Sequence, residues 1–216
     1  MTTDRADSTA SIRHGRKFEQ VLEGARSVFM AHGYERASVD NIARAAGVSK
    51  ATLYSYFPDK RVLFTEVARL ECLRQADDAL PLMTVVAPPA VILREAARRI
   101  IAFYTSEFGR SMFRICVAES YRFPELGRRF HTSGPMMARE RLGAYLHQAV
   151  ARGELAIDDV DLAADQFLQL CHADLMDRII CGVQTDFAQD QIDRVIDGAV
   201  AMFMARHGTA QSCSNG

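Results

Sequence analysis

Ser38, Lys50, Thr52, Tyr54, Ser55, Tyr56 and Lys60 fall in one short stretch near the front of the chain. Ammonium groups, phenols and hydroxyls donate hydrogen bonds to phosphate oxygens, contacts that position a protein on a duplex without reading sequence. Hydroxyls and methyl-sized side chains can also touch base edges in a major groove. In this stretch Tyr54, Tyr56, Thr52 and Lys60 suit phosphates. Ser55 suits a base edge and Ala51 a thymine methyl, while Lys50 sits at the amino end of the same segment. Each also has a plainer reading, since surface tyrosines and solvated lysines are common. The elements that present the residues must decide between the two.

Those elements read as helices. Phe18, Val21, Leu22, Ala25, Val28 and Phe29 form one apolar stripe, which predicts a first helix from about His14 to about Ala31 ended by Gly33. Ser38 is a good N-cap for a short second helix whose inner face is Val39, Ile42, Ala43 and Ala46. Gly47 can take positive φ and turn the chain sharply. Ser49 caps a third helix over Lys50–Tyr56, and Pro58 stops it. At about 100° per residue Leu53 and Phe57 share the core side of this helix, with Ala51 and Ser55 roughly opposite. Asp59 caps a long fourth helix from Lys60 to Leu80. Helix, glycine turn and short capped helix make a helix-turn-helix, in which the second member lies in a major groove and the first braces it.

These residues resemble a known family. ARSVFMAHGY from Ala25 and SVDNIARAAGVSKATLYSYFPDKRVLF from Ser38 to Phe64 are similar to the N-terminal domain of TetR-type transcriptional regulators. The resemblance implies a dimeric DNA-binding regulator, usually a repressor, with a small-molecule site among its C-terminal helices. It places Lys50, Ala51, Thr52, Tyr54, Ser55, Tyr56 and Lys60 at DNA-contact positions and Ser38 at a phosphate-contact position where threonine is frequent. Ala51 departs from the glycine common there, and Arg61-Val62 from acidic residues. RICVAESYRFPELGRRFHTSGPMMARERLGAYLHQAVARGEL, from Arg114 to Leu155, is similar to the AefR-like subtype of regulatory domain.

The rest of the chain also carries helical spacing, so the fold class expected is all-α. The expected organisation is a flexible tail over 1–12, a helix-turn-helix unit over 13–60 and a larger helical ligand-binding and dimerisation unit over 61–216. Helices are expected at 89–106, 111–122, 124–152 with Pro135 as a place for a kink, 159–181 and 189–206. Phe103, Phe108, Met112, Phe113, Cys116, Phe123, Met137, Phe167, His172 and Met176 are the candidate lining of a site for a small apolar or amphipathic ligand. Core packing is the competing explanation for any one of them. The helices near 159–181 and 189–206 are the expected homodimer surface, which would present two reading helices to successive major grooves of a palindromic operator.

Composition sets the outer limits. The chain has 216 residues with 49% hydrophobic and 25% charged content and a net charge of −1, which argues against disorder as the dominant state. Residues 1–75 hold 12 Lys+Arg against 9 Asp+Glu, so the front is the more basic part. No apolar run approaches a membrane span, and the polar first twelve residues lack the core of an export signal. Cys72, Cys116, Cys171, Cys181 and Cys213 are odd in number with no CxxC pair, which fits a reducing cytoplasm rather than a disulfide scaffold. No metal or cofactor is expected: GxGxxG, GxxxxGK[ST] and HExxH are missing, and Cys171-His172 point about 100° apart on a helix. The expected function is a ligand-responsive repressor and not an enzyme. Two rivals stay open, an enzyme with an accessory DNA-binding end and a constitutive DNA-binding protein without a ligand. Residues 80–216 show no catalytic constellation for the former.

Overall fold

Helix ends account for much of the architecture. The computed structural model describes residues 15–78 and 87–210. The tail expected over 1–12, His14, Leu80 and Cys213 lie outside the described residues. Eleven α-helices are described: α1 (Arg16–Arg36), α2 (Val39–Ala45), α3 (Lys50–Tyr56), α4 (Lys60–Asp78), α5 (Pro89–Thr105), α6 (Glu107–Ser120), α7 (Pro124–His131), α8 (Met137–Ala151), α9 (Val160–Leu170), α10 (Met176–Ile180) and α11 (Gln189–His207). A π-helix, Thr132–Met136, joins α7 to α8. Among the described residues no strand forms, and no helix is long and apolar enough to cross a membrane.

Local capping places most boundaries where the sequence expects them. The Ser38 hydroxyl accepts from the Asn41 N–H at 3.1 Å, and that of Ser49 from the Thr52 N–H at 3.1 Å. Asp59 Oδ1 accepts from the N–H groups of Arg61 and Val62 at 2.8 and 3.0 Å. Several boundaries differ. α1 runs past Gly33, which takes φ 70° within it, and a further turn follows the kink. α6 starts at Glu107 because Ser106 caps it by accepting from the Gly109 N–H at 3.0 Å. Gly109 lies in the first turn of α6. A Cβ there would stand 2.0 Å from the Phe103 carbonyl oxygen, so the α5–α6 corner is as tight as backbone permits.

The helix expected over 159–181 is broken. α9 ends at Leu170, residues 171–175 form turns, and α10 resumes at Met176. The cause is Asp174, whose φ of 65° is left-handed and costly for a residue with a Cβ. Its carboxylate is held by Arg178 at 2.7 Å and by Arg194 of α11. The expected 124–152 helix is interrupted where Pro135 removes a backbone donor, and the wider π-turn takes up the register there.

Two apolar cores result. One gathers Phe18, Phe29, Ile42, Leu53 and Phe57 with Phe64 and Val67 of α4 and Phe108, Met112 and Cys116 of α6. The other joins α5, α8, α9 and α11 around Leu93, Tyr145, Leu146, Phe167 and Ile196. The core under the helix-turn-helix therefore extends well past residue 60. Phe64 is its centre, 4.9 Å edge-on from Phe29, 5.0 Å from Tyr34 and 5.5 Å from Phe108 between ring centroids.

Burial works to raise the Asp59 carboxyl, but the hydrogen bonds from Val62 and Arg61 and the Arg61 guanidinium outweigh it and hold the group below the usual carboxylate range. Asp59→Ala should lower stability by about 1 kcal/mol at neutral pH through the lost cap. A depressed native value means this contribution is complete above the unfolded carboxyl range and is lost as pH falls through the native one. Thermal melts of both proteins should therefore converge in acid; a difference that grew in acid would contradict the assignment.

Candidate DNA interface and ligand cleft

The third helix is short, so its pose depends on what it packs against. Leu53 is 1% exposed and Phe57 4%, and the Phe57 ring stacks on Phe18 of α1 at 5.2 Å. Gly24 of α1 makes room for the α2 end of the turn, since a Cβ there would meet the Ala46 backbone N at 2.6 Å. Gly47 supplies the φ of 64° that turns α2 into α3. The opposite face of α3 presents Lys50, Ala51, Tyr54, Ser55 and Tyr56 to solvent, with Thr52 half-buried at its flank. Ser38 is exposed at the start of α2. Seven of the eight residues picked from the sequence thus lie along α2's amino end and the outer side of α3. Lys60 lies at the start of α4.

Their hydrogen bonds refine what each can offer. The Ser55 hydroxyl donates to the Thr52 carbonyl at 2.7 Å, which leaves its oxygen lone pairs as the outward function. The Thr52 and Ser49 hydroxyls pair at 2.9 Å. Lys50 forms an ion pair with Asp40 of α2, and both side chains are more than half exposed. Tyr56 is edge-on to Phe18 at 5.6 Å. Lys60 is the surprise. Its ammonium donates to the carbonyls of Tyr34 and Ala37 at 2.9 and 3.1 Å and lies 4.2 Å from the Tyr34 ring centroid. Two of its three N–H donors are thus spent on tying α4 to the end of α1. Sequence reasoning also passed over Arg16 and Lys17, exposed cations that open α1 just ahead of Phe18, the ring against Tyr56. The signal was their adjacency to the first residue of the apolar stripe.

The ten candidate ligand residues do not converge. Phe108, Met112 and Cys116 are buried in the helix-turn-helix core, with Phe103 packed against it. Phe167 is buried in the other core, edge-on to Phe203 at 5.3 Å. Phe123 is exposed, with the Arg61 guanidinium 4.5 Å from its ring centroid. Phe113 bridges Tyr104 and Phe130 at 6.3 and 6.2 Å, and Met137 is half-buried at the start of α8. His172 and Met176 do meet, in a small apolar cleft together with Ile101, Tyr104, Thr105 and Leu175. The sequence reading missed Ile101 and Thr105, which stand four residues apart at the end of α5.

The cleft adjoins the helix-turn-helix core. Tyr104 and Thr105 line it, and Phe108, on the next turn of chain, touches Phe64. Burial pushes the Tyr104 phenol up to about 12, helped by Cys72, and burial alone pushes the Cys171 thiol up to about 12. Burial also raises Cys72 to about 11 and Cys116 to about 12. These groups are neutral at physiological pH and supply no thiolate.

Known proteins share this arrangement. Residues 21–67 match the model of the tetR family of bacterial regulatory proteins, and residues 91–209 match the C-terminal domain of AefR-like transcriptional repressors. The HTH-type transcriptional repressor AcnR of Corynebacterium efficiens is 41% identical over 59 residues, which span 27% of this chain and 31% of that protein. The crystal structure of a TetR-family regulator from Mesorhizobium loti matches 91% of this chain and 99% of its own at a TM-score of 0.78 and 26% identity. The flavonoid-responsive regulator FrrA matches 91% of this chain and 99% of its own at a TM-score of 0.67 and 36% identity. A domain model that covers most of the C-terminal unit, and a relative matched over nearly its whole length, lead to one conclusion: the chain belongs to the TetR family of transcriptional regulators.

Proposed function

We propose that this protein is a cytoplasmic, homodimeric repressor that binds a palindromic operator and is released from it by a small molecule. The observation that carries the reading is the two-sided α3, with Leu53 and Phe57 locked inward and Lys50, Ala51, Tyr54 and Ser55 outward. Residues 13–60 read the DNA, braced by α4 and α6. In that role Ser55 accepts from an exocyclic amine of adenine or cytosine, because its own proton is committed. Ala51 meets a thymine methyl. Ser38, Lys50, Thr52, Tyr54, Tyr56 and the remaining N–H of Lys60 hold phosphates.

The dimer forms through α9–α10 and α11. Leu162, Ile180 and Met202 are exposed there, and Gly198 of α11 has open space where a Cβ would be. Two copies related by a two-fold axis would set their reading helices about 34–36 Å apart or a multiple of it. FrrA's response to flavonoids supports a small-molecule effector for this chain as well. A ligand in the cleft displaces the α5–α6 corner, and Phe108 passes the shift to Phe64 and α4. A 100-fold preference for one of two conformers supplies about 2.7 kcal/mol of coupling.

The direct test is fluorescence anisotropy with the intergenic DNA upstream of the gene, in the presence and absence of candidate effectors. Tight, salt-sensitive binding of one palindrome by a dimer is expected; a strictly monomeric protein that binds no such fragment would end the proposal. Ser55→Ala should relax preference at one or two base pairs and leave the salt dependence unchanged. Lys50→Ala should weaken all sequences equally and reduce the salt slope by about 1, with little change in Tm because its ion pair is exposed. Lys60→Ala should do the same to DNA but also lower the melting temperature, since it frees two carbonyls from a charged donor.

A further inference from the structure

The carboxyl half of α6 leaves one of its faces uncovered. Met112, Ile115 and Cys116 are buried, whereas Arg114, Val117, Ala118 and Tyr121 are exposed. Those four positions fall at i, i+3, i+4 and i+7, so they form a single stripe. Tyr121 closes it at 98% exposure, and Val117 within it is 54% exposed. Contiguous exposed apolar surface rimmed by polar residues marks an interaction site.

The charge around this face is positive. Residues 110–131 hold five Arg against two Glu. Glu125 is held by Arg128 at 2.9 Å and by Arg129 at 3.1 Å. Arg114 and Arg122 are exposed and pair with no carboxylate among the described residues; the Arg122 guanidinium lies 5.3 Å from the Phe123 ring centroid. A second copy related by a two-fold axis would bring this face against itself, arginine to arginine. A polyanion suits it better, and DNA is the polyanion that a TetR-family regulator binds.

The packing of α7 sets where the stripe ends. α7 lies along α4. Phe123, just ahead of α7, has the Arg61 guanidinium 4.5 Å from its ring centroid, and a Cβ on Gly134, just past α7, would stand 3.9 Å from Cys72 Sγ. Eleven residues separate Arg61 from Cys72 and eleven separate Phe123 from Gly134, so the two helices run in the same direction. The α6–α7 turn over 121–123 is therefore level with the first turn of α4. Only residues 57–59 separate that turn from α3.

We propose that the α6–α7 turn is a DNA contact outside the helix-turn-helix: Arg122 and the Tyr121 hydroxyl hold backbone phosphates beyond those met by α2, α3 and Lys60, and Arg114 adds to the field that draws the duplex in. The contact rests on the DNA-binding reading above and extends its footprint. It is made to the backbone, so it adds affinity without reading sequence.

Fluorescence anisotropy of the full chain on a duplex of its upstream intergenic DNA, repeated across salt concentrations, tests it. Arg122→Ala should weaken every sequence alike and flatten the salt slope by about 1. Arg122→Lys should retain the slope, and Arg98→Ala, the same loss of charge on α5, should leave it unchanged. Tyr121→Phe should weaken binding about five-fold, the worth of one hydrogen bond. Ethylation of at least one phosphate should block the wild type and be tolerated by Arg122→Ala. Tyr121 and Arg122 are exposed, so thermal melts of these variants should match that of the wild type. An unchanged slope in Arg122→Ala, or an equal fall in Arg98→Ala, overturns the proposal. So does a shift of the monomer–dimer equilibrium in Arg122→Ala without a change in slope, which would put a second copy on this face. Where Lys50→Ala flattens the slope and Arg122→Ala does not, the α6–α7 contact falls and the regulator stands. A wild type that binds no such duplex ends both.

Discussion

The packing of Phe64 against Phe29, Tyr34 and Phe108 is the constraint on which the rest depends. One buried ring on α4 is shared by α1, which carries the helix-turn-helix, and by α6, which begins at the corner beside the cleft. Interiors are close-packed, so a shift of any of the three helices must be answered by the other two. Polar links reinforce the joint on both sides. Arg26 of α1 donates to the buried Glu71 carboxylate of α4 at 2.9 Å, and Arg36 of α1 reaches Glu107 of α6 at 3.2 Å. The helix-turn-helix is therefore not a bead on a linker but the end of a continuous packed body.

Within that body α3 has almost no stability of its own. Seven residues are far fewer than an isolated helix needs in water. α3 exists because Ser49 satisfies the free N–H of Thr52, because Leu53 and Phe57 bury, and because Gly24 and Gly47 let α2 approach and turn. The same packing settles which side chains face outward. The hydrogen bonds of the Thr52 and Ser55 hydroxyls to Ser49 and the Thr52 carbonyl mean that the outward surface is presented ready-formed.

What the sequence disclosed follows the range of the interaction involved. Caps at Ser38, Ser49 and Asp59, the turn at Gly47 and the inward pair Leu53 and Phe57 are set by residues a few positions apart, and all were legible. The Lys60 bonds to Tyr34 and Ala37 cross more than twenty residues, and no local pattern announces them. The break after Leu170 was hidden because the apolar stripe runs on through Phe167, Leu168, Cys171 and Leu175, while the cause, Asp174 held by Arg194, is a tertiary pairing. The candidate ligand residues dispersed for a related reason. Soft apolar side chains fill cores and pockets alike, and only the tertiary fold decides that Met112 is enclosed while Met176 borders a void.

The placement of the cysteines has a practical corollary. Cys72, Cys116 and Cys171 are sheltered and held as thiols, whereas Cys181, at the end of the α10 turn, is exposed. Among the described cysteines a maleimide dye would therefore select Cys181. With Cys213 replaced, the molecule offers a ready attachment point for a fluorophore a few residues from Met176, on the same short helical segment that walls the cleft.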